Sequence, residues 1–139
     1  MVFGLLKDIK NGEYRTIATP REISTIVADG HTALVQRGAG EKAGFADEAY
    51  VKAGAELVDT MEEIYARADF VTKVKELMPC EYPLLREGQI IFTCIHPAAH
   101  PEEVQAILDS KCIAFTAEDS HRFGSPNCEA AGKQGALFG

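Results

Sequence analysis

Residues 90–97 read Ile-Ile-Phe-Thr-Cys-Ile-His-Pro, and this stretch decides the fold. A nearly continuous apolar run of this length is typical of a strand that is buried on both faces, as in a parallel sheet. A histidine follows the run directly. We therefore predict a buried strand over Gln89–Ile95, with His96 at its carboxyl end.

On both sides of this strand, short apolar runs alternate with helical patterns. Further strands are predicted at Val2–Leu6, Thr32–Gln36, Ala55–Leu57, Phe70–Val74 and Cys112–Thr116. Helices are predicted from Pro20 to a stop at Gly30, over Asp47–Ala53, from Thr60 through about Arg67, and from Pro101 and Pro126 onward. Such alternation favours parallel strands joined by crossover helices. The expected fold is an α/β, Rossmann-like layered domain with a mostly parallel sheet flanked by helices.

Two of these helices have clear start signals. In Thr19-Pro20-Arg21-Glu22, the threonine is a typical cap, proline suits the first turn, and Glu22 completes a capping box. Thr60-Met61-Glu62-Glu63 repeats this spacing. We expect both threonines to cap their helices.

Size and charge narrow the function classes. The chain has 139 residues, which suits one domain, and its net charge of -7 disfavours nucleic acid and anionic membrane surfaces. No apolar run approaches the roughly 20 residues of a membrane span, and Lys7 ends an apolar start that is too short for a signal peptide. The four cysteines form no C-x-x-C pair, which indicates reduced thiols in a cytoplasmic protein.

His96 is the first candidate for chemistry. Open α/β sheets bind ligands at the carboxyl ends of their strands, where this histidine should lie. A neutral imidazole there could donate or accept a proton near neutral pH. The alternative is a histidine that only hydrogen-bonds a loop.

Lys75 and Arg15 are two further candidates at strand ends. A lysine at this edge can polarise a carbonyl oxygen, but Lys73 lies two residues away and the spacing does not separate the two. Arg15 follows a polar loop after the first strand, and its planar fork suits a carboxylate. A solvated lysine and a surface arginine are the ordinary alternatives.

Two other patterns are rejected. Gly38-Ala39-Gly40 precedes Gly44 with the spacing G-x-G-x-x-x-G, so we interpret it as a turn and not as a dinucleotide fingerprint. Cys94, His96 and His100 lack the carboxylate or second cysteine that would complete a metal site. We therefore expect neither a metal nor a cofactor-binding residue in this chain.

An ordered series of motifs along the chain resembles the alanine dehydrogenase family, whose N-terminal domain type is shared by pyridine nucleotide transhydrogenases. The motifs are Lys7-Asp8-Ile9-Lys10-Asn11-Gly12-Glu13-Tyr14-Arg15, Thr19-Pro20, Gly30-His31, Gly38-Ala39-Gly40, Gly44-Phe45, Glu48-Ala49-Tyr50, Ala53-Gly54-Ala55, Val74-Lys75-Glu76, Arg86-Glu87-Gly88 and His96. They cover essentially the whole chain. The series is far more specific than any one of its motifs.

The resemblance implies a role for each candidate. It implies that Arg15 grips the substrate carboxylate, that Lys75 contacts the keto acid and that His96 is catalytic. The implied reaction is the reversible, NAD-dependent oxidative deamination of L-alanine to pyruvate and ammonia. The resemblance also implies a homo-oligomer when the enzyme is complete.

The same resemblance implies a division of the chain. Residues 1–125 would be the substrate-binding catalytic domain, and residues 126–139 would begin a connecting helix toward a nucleotide-binding domain or subunit that these residues do not include. That domain would bind NAD, so the isolated chain is expected to be inactive and to bind a keto acid weakly at most.

Some positions depart from the family pattern. Cys94 stands where the family has a tyrosine-like residue, and Ser125-Pro126-Asn127 replaces Thr-Pro-Met. Asn127 would offer the substrate polar contacts in place of a methionine. The remaining alternatives are an opine-type or saccharopine-type enzyme, a transhydrogenase component, and a free-standing binding domain without catalysis.

Overall fold

The computed structural model describes residues 1–117 and 126–138, and its centre is a six-stranded sheet. The strands are β1 (Val2–Leu5), β2 (Thr32–Gln36), β3 (Glu56–Val58), β4 (Phe70–Thr72), β5 (Ile90–Thr93) and β6 (Ile113–Thr116). They lie in the order β3-β2-β1-β4-β5-β6, and every neighbouring pair is parallel. The predicted α/β fold is confirmed.

Five helices accompany this sheet in the described part of the chain. They are α1 (Pro20–Ala28), α2 (Asp47–Lys52), α3 (Met61–Arg67), α4 (Pro101–Ser110) and α5 (Pro126–Phe138). Short 3-10 turns at Glu41–Ala43 and Tyr82–Leu84, which the sequence did not predict, add to them. The five predicted helices are therefore present, within a few residues of their expected bounds.

The two predicted caps differ in detail. The capping box of α1 is complete, because Thr19 accepts from the first turn and the Glu22 carboxylate accepts from the Thr19 amide at 2.9 Å. At α3, Thr60 accepts from the Glu63 amide at 3.2 Å. The Glu63 carboxylate instead binds Arg67 one turn later, at 3.0 Å. The repeat of the box at α3 is thus only half formed, since a nearby cation takes its carboxylate.

Two apolar layers hold the sheet. Ile64 and Tyr65 of α3 pack with Val71 and Ile91 on one face. On the other face, Ile23 and Tyr50 of α1 and α2 pack with Leu5 and Val35. Gly4 lets α3 approach β1 closely, because a Cβ atom there would lie 2.6 Å from the Ile64 Cγ2. Parallel strands that are covered on both faces explain why their sequences are continuously apolar.

The order of the strands creates a switch point between β1 and β4. The chain leaves β1 toward β2 on one side, and it leaves β4 toward β5 on the other side. In open α/β sheets, ligands bind in the crevice at such a point, outside the carboxyl ends of the strands. The loops that follow β1 and β4 therefore form the first place to look for a site.

Two strands next to this point are shorter than predicted. β4 ends at Thr72 and not at Val74, and β5 ends at Thr93 and not at Ile95. Val74 and Ile95 are buried, so their apolar character made the runs look longer than the ladders are. The residues beyond both strands belong to loops at the carboxyl edge.

Candidate functional site

The three sequence candidates lie in loops that follow three neighbouring strands. Arg15 lies between β1 and α1, Lys75 lies after β4, and His96 lies after β5. Because β1, β4 and β5 are adjacent and parallel, all three loops leave the same edge of the sheet. The structure therefore places the three residues at one edge, as the sequence predicted.

A carboxylate grips Arg15 from one side. The Glu13 side chain is 7% exposed and accepts from the Arg15 Nε at 2.8 Å and from its Nη2 at 2.5 Å. The hydrogen bonds from Arg15 hold the pKa of Glu13 at about 2, and the same contact raises the pKa of Arg15. The guanidinium is therefore held in one orientation by a permanently charged partner.

The backbone of Lys75 is fixed by Asp8 of the loop after β1 and by Thr93 of β5. Its amide donates to the Asp8 Oδ2 at 2.8 Å, and its carbonyl accepts from the Thr93 Oγ1 at 2.5 Å. The Lys75 ammonium is close enough to help lower the pKa of Glu13. Both cations thus lower the pKa of Glu13, Arg15 through direct hydrogen bonds and Lys75 through its electrostatic effect.

The two lysines after β4 have different surroundings. Lys73 is 1% exposed, and its Nζ binds the Glu81 Oε2 at 2.7 Å inside the protein. Lys75 is partly exposed at the carboxyl edge. The expectation that both lie on one strand face is wrong, because β4 ends before either residue. Lys75, and not Lys73, is the lysine available to a ligand.

His96 lies at the outer part of the same edge. It is exposed, its φ is 48°, and its carbonyl accepts from the Ala99 amide at 2.9 Å in a tight turn. A non-glycine residue in this left-handed region is uncommon and marks a position worth attention. Cys94 and Ile95, just before it, are buried. His96 is therefore the first exposed residue of the loop that follows β5.

Sequence reasoning missed the buried carboxylates that organise this edge. They are Asp8, Glu13, Glu76, Glu81 and Glu103, and each is at most 8% exposed. The spacing of Glu13 and Arg15 could have suggested their ion pair. The contacts of Asp8 with Lys75, of Glu76 with Lys10 and of Glu103 with Leu77 join residues that are far apart in the sequence, so only the fold shows them.

The residues of the dinucleotide-like pattern do not form a phosphate cradle. Gly38 lies in the turn after β2, and its amide donates to the Asp47 Oδ1 at 2.8 Å. A Cβ atom there would lie 2.8 Å from the Lys7 Nζ, so a side chain already fills this space. The interpretation of the pattern as a turn is confirmed.

The remaining sequence expectations concern metals, thiols and the chain end. Among the residues that the structure describes, no group of three His, Cys, Asp or Glu could hold a metal ion. Within the same residues, Cys80, Cys94 and Cys112 form no disulfide, and no helix is long and apolar enough to cross a membrane. The Asn127 side chain and the segment 118–125 lie outside the described residues.

The strand order and the charged carboxyl edge define a Rossmann-like domain whose candidate ligand site lies at its switch point. The family described as "Alanine dehydrogenase/PNT, N-terminal domain" matches residues 4–126. The chain belongs to this family.

Curated relatives and solved structures agree with this assignment. Alanine dehydrogenases of Bacillus subtilis and Methanococcus maripaludis are 40% and 38% identical over the whole chain. A solved L-alanine dehydrogenase matches 85% of the chain with a TM-score of 0.82 and 39% identity. This match covers 32% of the length of the solved chain. A transhydrogenase from Sinorhizobium meliloti matches 88% of the chain with a TM-score of 0.81, and the match covers 36% of the length of the transhydrogenase chain. At 22% identity this similarity shows the fold alone. The chain spans 38–39% of the length of the two curated relatives.

Proposed function

We propose that these residues are the N-terminal, substrate-binding part of an NAD-dependent alanine dehydrogenase. The reaction is the reversible oxidative deamination of L-alanine to pyruvate and ammonia. Curated relatives called alanine dehydrogenase, 38–40% identical over the whole chain, support this function. The observation that carries it is the position of Arg15 and Lys75 in the loops that follow β1 and β4, at the switch point of the sheet.

The charge balance of the edge suits a small keto acid. Glu13 neutralises part of Arg15, while Lys75 brings a second positive charge beside them. A pyruvate carboxylate that binds the Arg15 guanidinium would add a negative charge beside these two cations. The second charge is then available to the neighbouring carbonyl oxygen of the same small molecule. A substrate with adjacent carboxylate and carbonyl groups matches both cations.

Each candidate has a separate task in this reaction. Arg15 binds the carboxylate and fixes the orientation of the substrate. Lys75 stabilises negative charge on the carbonyl oxygen, which favours attack on the carbonyl carbon. His96 transfers protons to or from the substrate oxygen and nitrogen as water and ammonia exchange. Bound NAD would supply the hydride acceptor, and we expect residues outside this chain to hold it.

The complete enzyme would include a nucleotide-binding domain in addition to these residues. Residues 1–125 form the substrate domain, and α5 begins the helix that connects it to a nucleotide-binding domain. Ala130 and Gly132–Leu137 of α5 are exposed, and Leu137 is 75% exposed, which supports a connecting role. Asn127, near the start of this helix, offers the substrate a polar contact. We place the enzyme in the cytoplasm as a homo-oligomer.

NADH oxidation by the complete enzyme tests this function. With pyruvate and ammonium, the unaltered enzyme should oxidise NADH, and His96→Ala should abolish most of this activity. His31→Ala is the matched control, because His31 is an exposed histidine before β2 and should not matter. Activity only with a bulkier amine would instead indicate an opine-type enzyme. Full activity of His96→Ala would remove the histidine from the mechanism.

A further inference from the structure

The segment 73–81, which carries Lys75, is irregular and depends on side chains for its course. It follows β4 and precedes the 3-10 turn at Tyr82–Leu84, and it contains no helix or strand. A backbone without regular structure must satisfy its amides in another way. The question is therefore which groups hold this segment in place.

Three buried carboxylates accept its amides. The Lys75 amide donates to Asp8 at 2.8 Å, the Leu77 amide to Glu103 at 2.6 Å, and the Met78 amide to Glu81 at 2.7 Å. These carboxylates come from the β1 loop, from α4 and from the segment itself. The Glu103 contact is the one that ties the segment to a helix on the far side of β5.

Glu103 is unusual for its place in the helix. Acidic residues in a first turn are normally solvated, but Glu103 is 0% exposed. Its Oε1 accepts from Leu77, and its Oε2 is buried without a hydrogen-bond partner among the described residues. Burial of a half-satisfied carboxylate costs free energy. Since this burial does not stabilise the fold, it indicates another role for Glu103.

We propose that Glu103 is a positioning residue for Lys75, because its carboxylate holds the Leu77 amide and so fixes the course of the segment 73–81. The importance of this course for catalysis rests on the proposed function of Lys75. The contact itself is independent of that function. Glu103 does not touch the substrate in this account and acts only through the backbone.

The charge of Glu103 changes near neutral pH. Burial raises its pKa to about 7, and the charge of Glu76 adds to this effect. The charged and titratable groups that surround it are Lys73, Glu76 and Glu81 of the segment, Tyr82 of the following turn, and Glu102 of its own helix. A carboxylate accepts an amide more strongly than a carboxylic acid does. The grip on Leu77 should therefore strengthen as the pH rises through neutrality.

Amide NMR on the 139-residue chain between pH 5.5 and 8.5 tests the proposal (the range spans about one and a half units on each side of neutrality). The Leu77 amide resonance should move with the titration of Glu103. The Lys75 amide resonance should follow with the same midpoint, because the segment moves as a unit. In Glu103→Gln both movements should be lost, while the sheet amides keep their positions. Glu102→Gln is the matched control, since its exposed side chain adjoins Glu103 on α4.

Three results would overturn the proposal. Leu77 could titrate while Lys75 stays still, which would separate the contact from the lysine. Both movements could persist in Glu103→Gln, which would assign them to another group. Amides throughout the sheet could move together, which would make Glu103 a general stabilising residue. None of these readings needs a substrate, so a failure of the proposed function, seen as no pyruvate binding, is distinct from them.

Discussion

At the scale of single residues, the site depends on how Glu13 holds Arg15. The two hydrogen bonds of 2.8 and 2.5 Å orient the guanidinium, and the Glu13 carboxylate stays charged because its pKa is about 2. A substrate carboxylate can then bind an arginine that is already in position. Glu13 should therefore contribute to carboxylate binding by orienting Arg15.

Replacement of Glu13 by glutamine should weaken this arrangement. One hydrogen bond to a charged group contributes about 1.5–3 kcal/mol, so the KM for pyruvate in the complete enzyme should rise by roughly ten- to hundredfold. Steady-state kinetics measures this change, with Glu62→Gln on the exposed side of α3 as the control. A KM within twofold of the unaltered enzyme would show that Arg15 needs no such support.

The pH dependence of the Glu13 contribution follows from the direction of its pKa shift. Because the folded-state pKa lies at about 2, below the ordinary 4.5, the ion pair stabilises the fold above about pH 4.5. This contribution is lost as the pH falls toward 2. Urea unfolding at pH 3 and pH 6 should therefore show a smaller loss of stability on acidification in Glu13→Gln. Equal losses in both proteins would contradict the assigned pKa.

The sequence indicated which residues lie at the carboxyl edge of the sheet better than it indicated the residues that hold them in place. Arg15, Lys75 and His96 follow apolar runs, so strand ends could be read from the pattern. Lys73 and Lys75 could not be separated, because their surroundings depend on Glu81 and on the early end of β4. Glu103 was hidden inside an ordinary helix start, and its burial arises only when α4 packs over the β4 loop.

At the scale of elements, the start of α1 should depend on Thr19. Its side chain accepts from the first turn, and the loss of such a cap costs about 1 kcal/mol. Thr19→Ala should lower the free energy of unfolding by this amount in urea. Thr25→Ala, in the exposed middle of the same helix, should change it by less than about 0.5 kcal/mol. Equal effects of the two substitutions would deny the capping role.

The link between β4 and the turn at Tyr82–Leu84 depends on the buried pair of Lys73 and Glu81. Removal of one partner leaves an uncompensated charge, so Lys73→Met should destabilise the chain by about 3–5 kcal/mol. Lys73→Met combined with Glu81→Gln should recover part of this loss, because no buried charge then remains. A double-mutant cycle in urea measures the coupling. A coupling near zero would contradict the pairing seen here.

Element bounds show where sequence patterns stop being informative. Thr32–Gln36 was predicted with the bounds that the structure gives to β2, since polar residues flank it on both sides. β5 was predicted to run to Ile95 because Cys94 and Ile95 are apolar. Both residues are indeed buried, but the pairing of β5 with β6 ends at Thr93. Burial and strand pairing are separate properties, and apolar periodicity reports only the first.

At the scale of the whole molecule, stability should depend on pH through Glu103. Its pKa rises from 4.5 to about 7 on folding, so folding is favoured where the buried group is protonated. This contribution is full below about pH 4.5 and is lost as the pH rises through about 7. The free energy of unfolding should fall between pH 5 and pH 8 more steeply in the unaltered chain than in Glu103→Gln. Parallel curves for the two proteins would contradict this assignment.

The central claim is that the carboxyl edge at the switch point between β1 and β4 binds a keto acid. The most direct measurement is a pyruvate titration of the isotopically labelled chain, followed by amide NMR. We expect shifts confined to the loops after β1, β4 and β5, around Arg15, Lys75 and His96, and their loss in Arg15→Ala. Weak binding is sufficient for this result. Saturable shifts at the opposite edge of the sheet, or no shifts even at pyruvate concentrations far above those that saturate the complete enzyme, would contradict the claim.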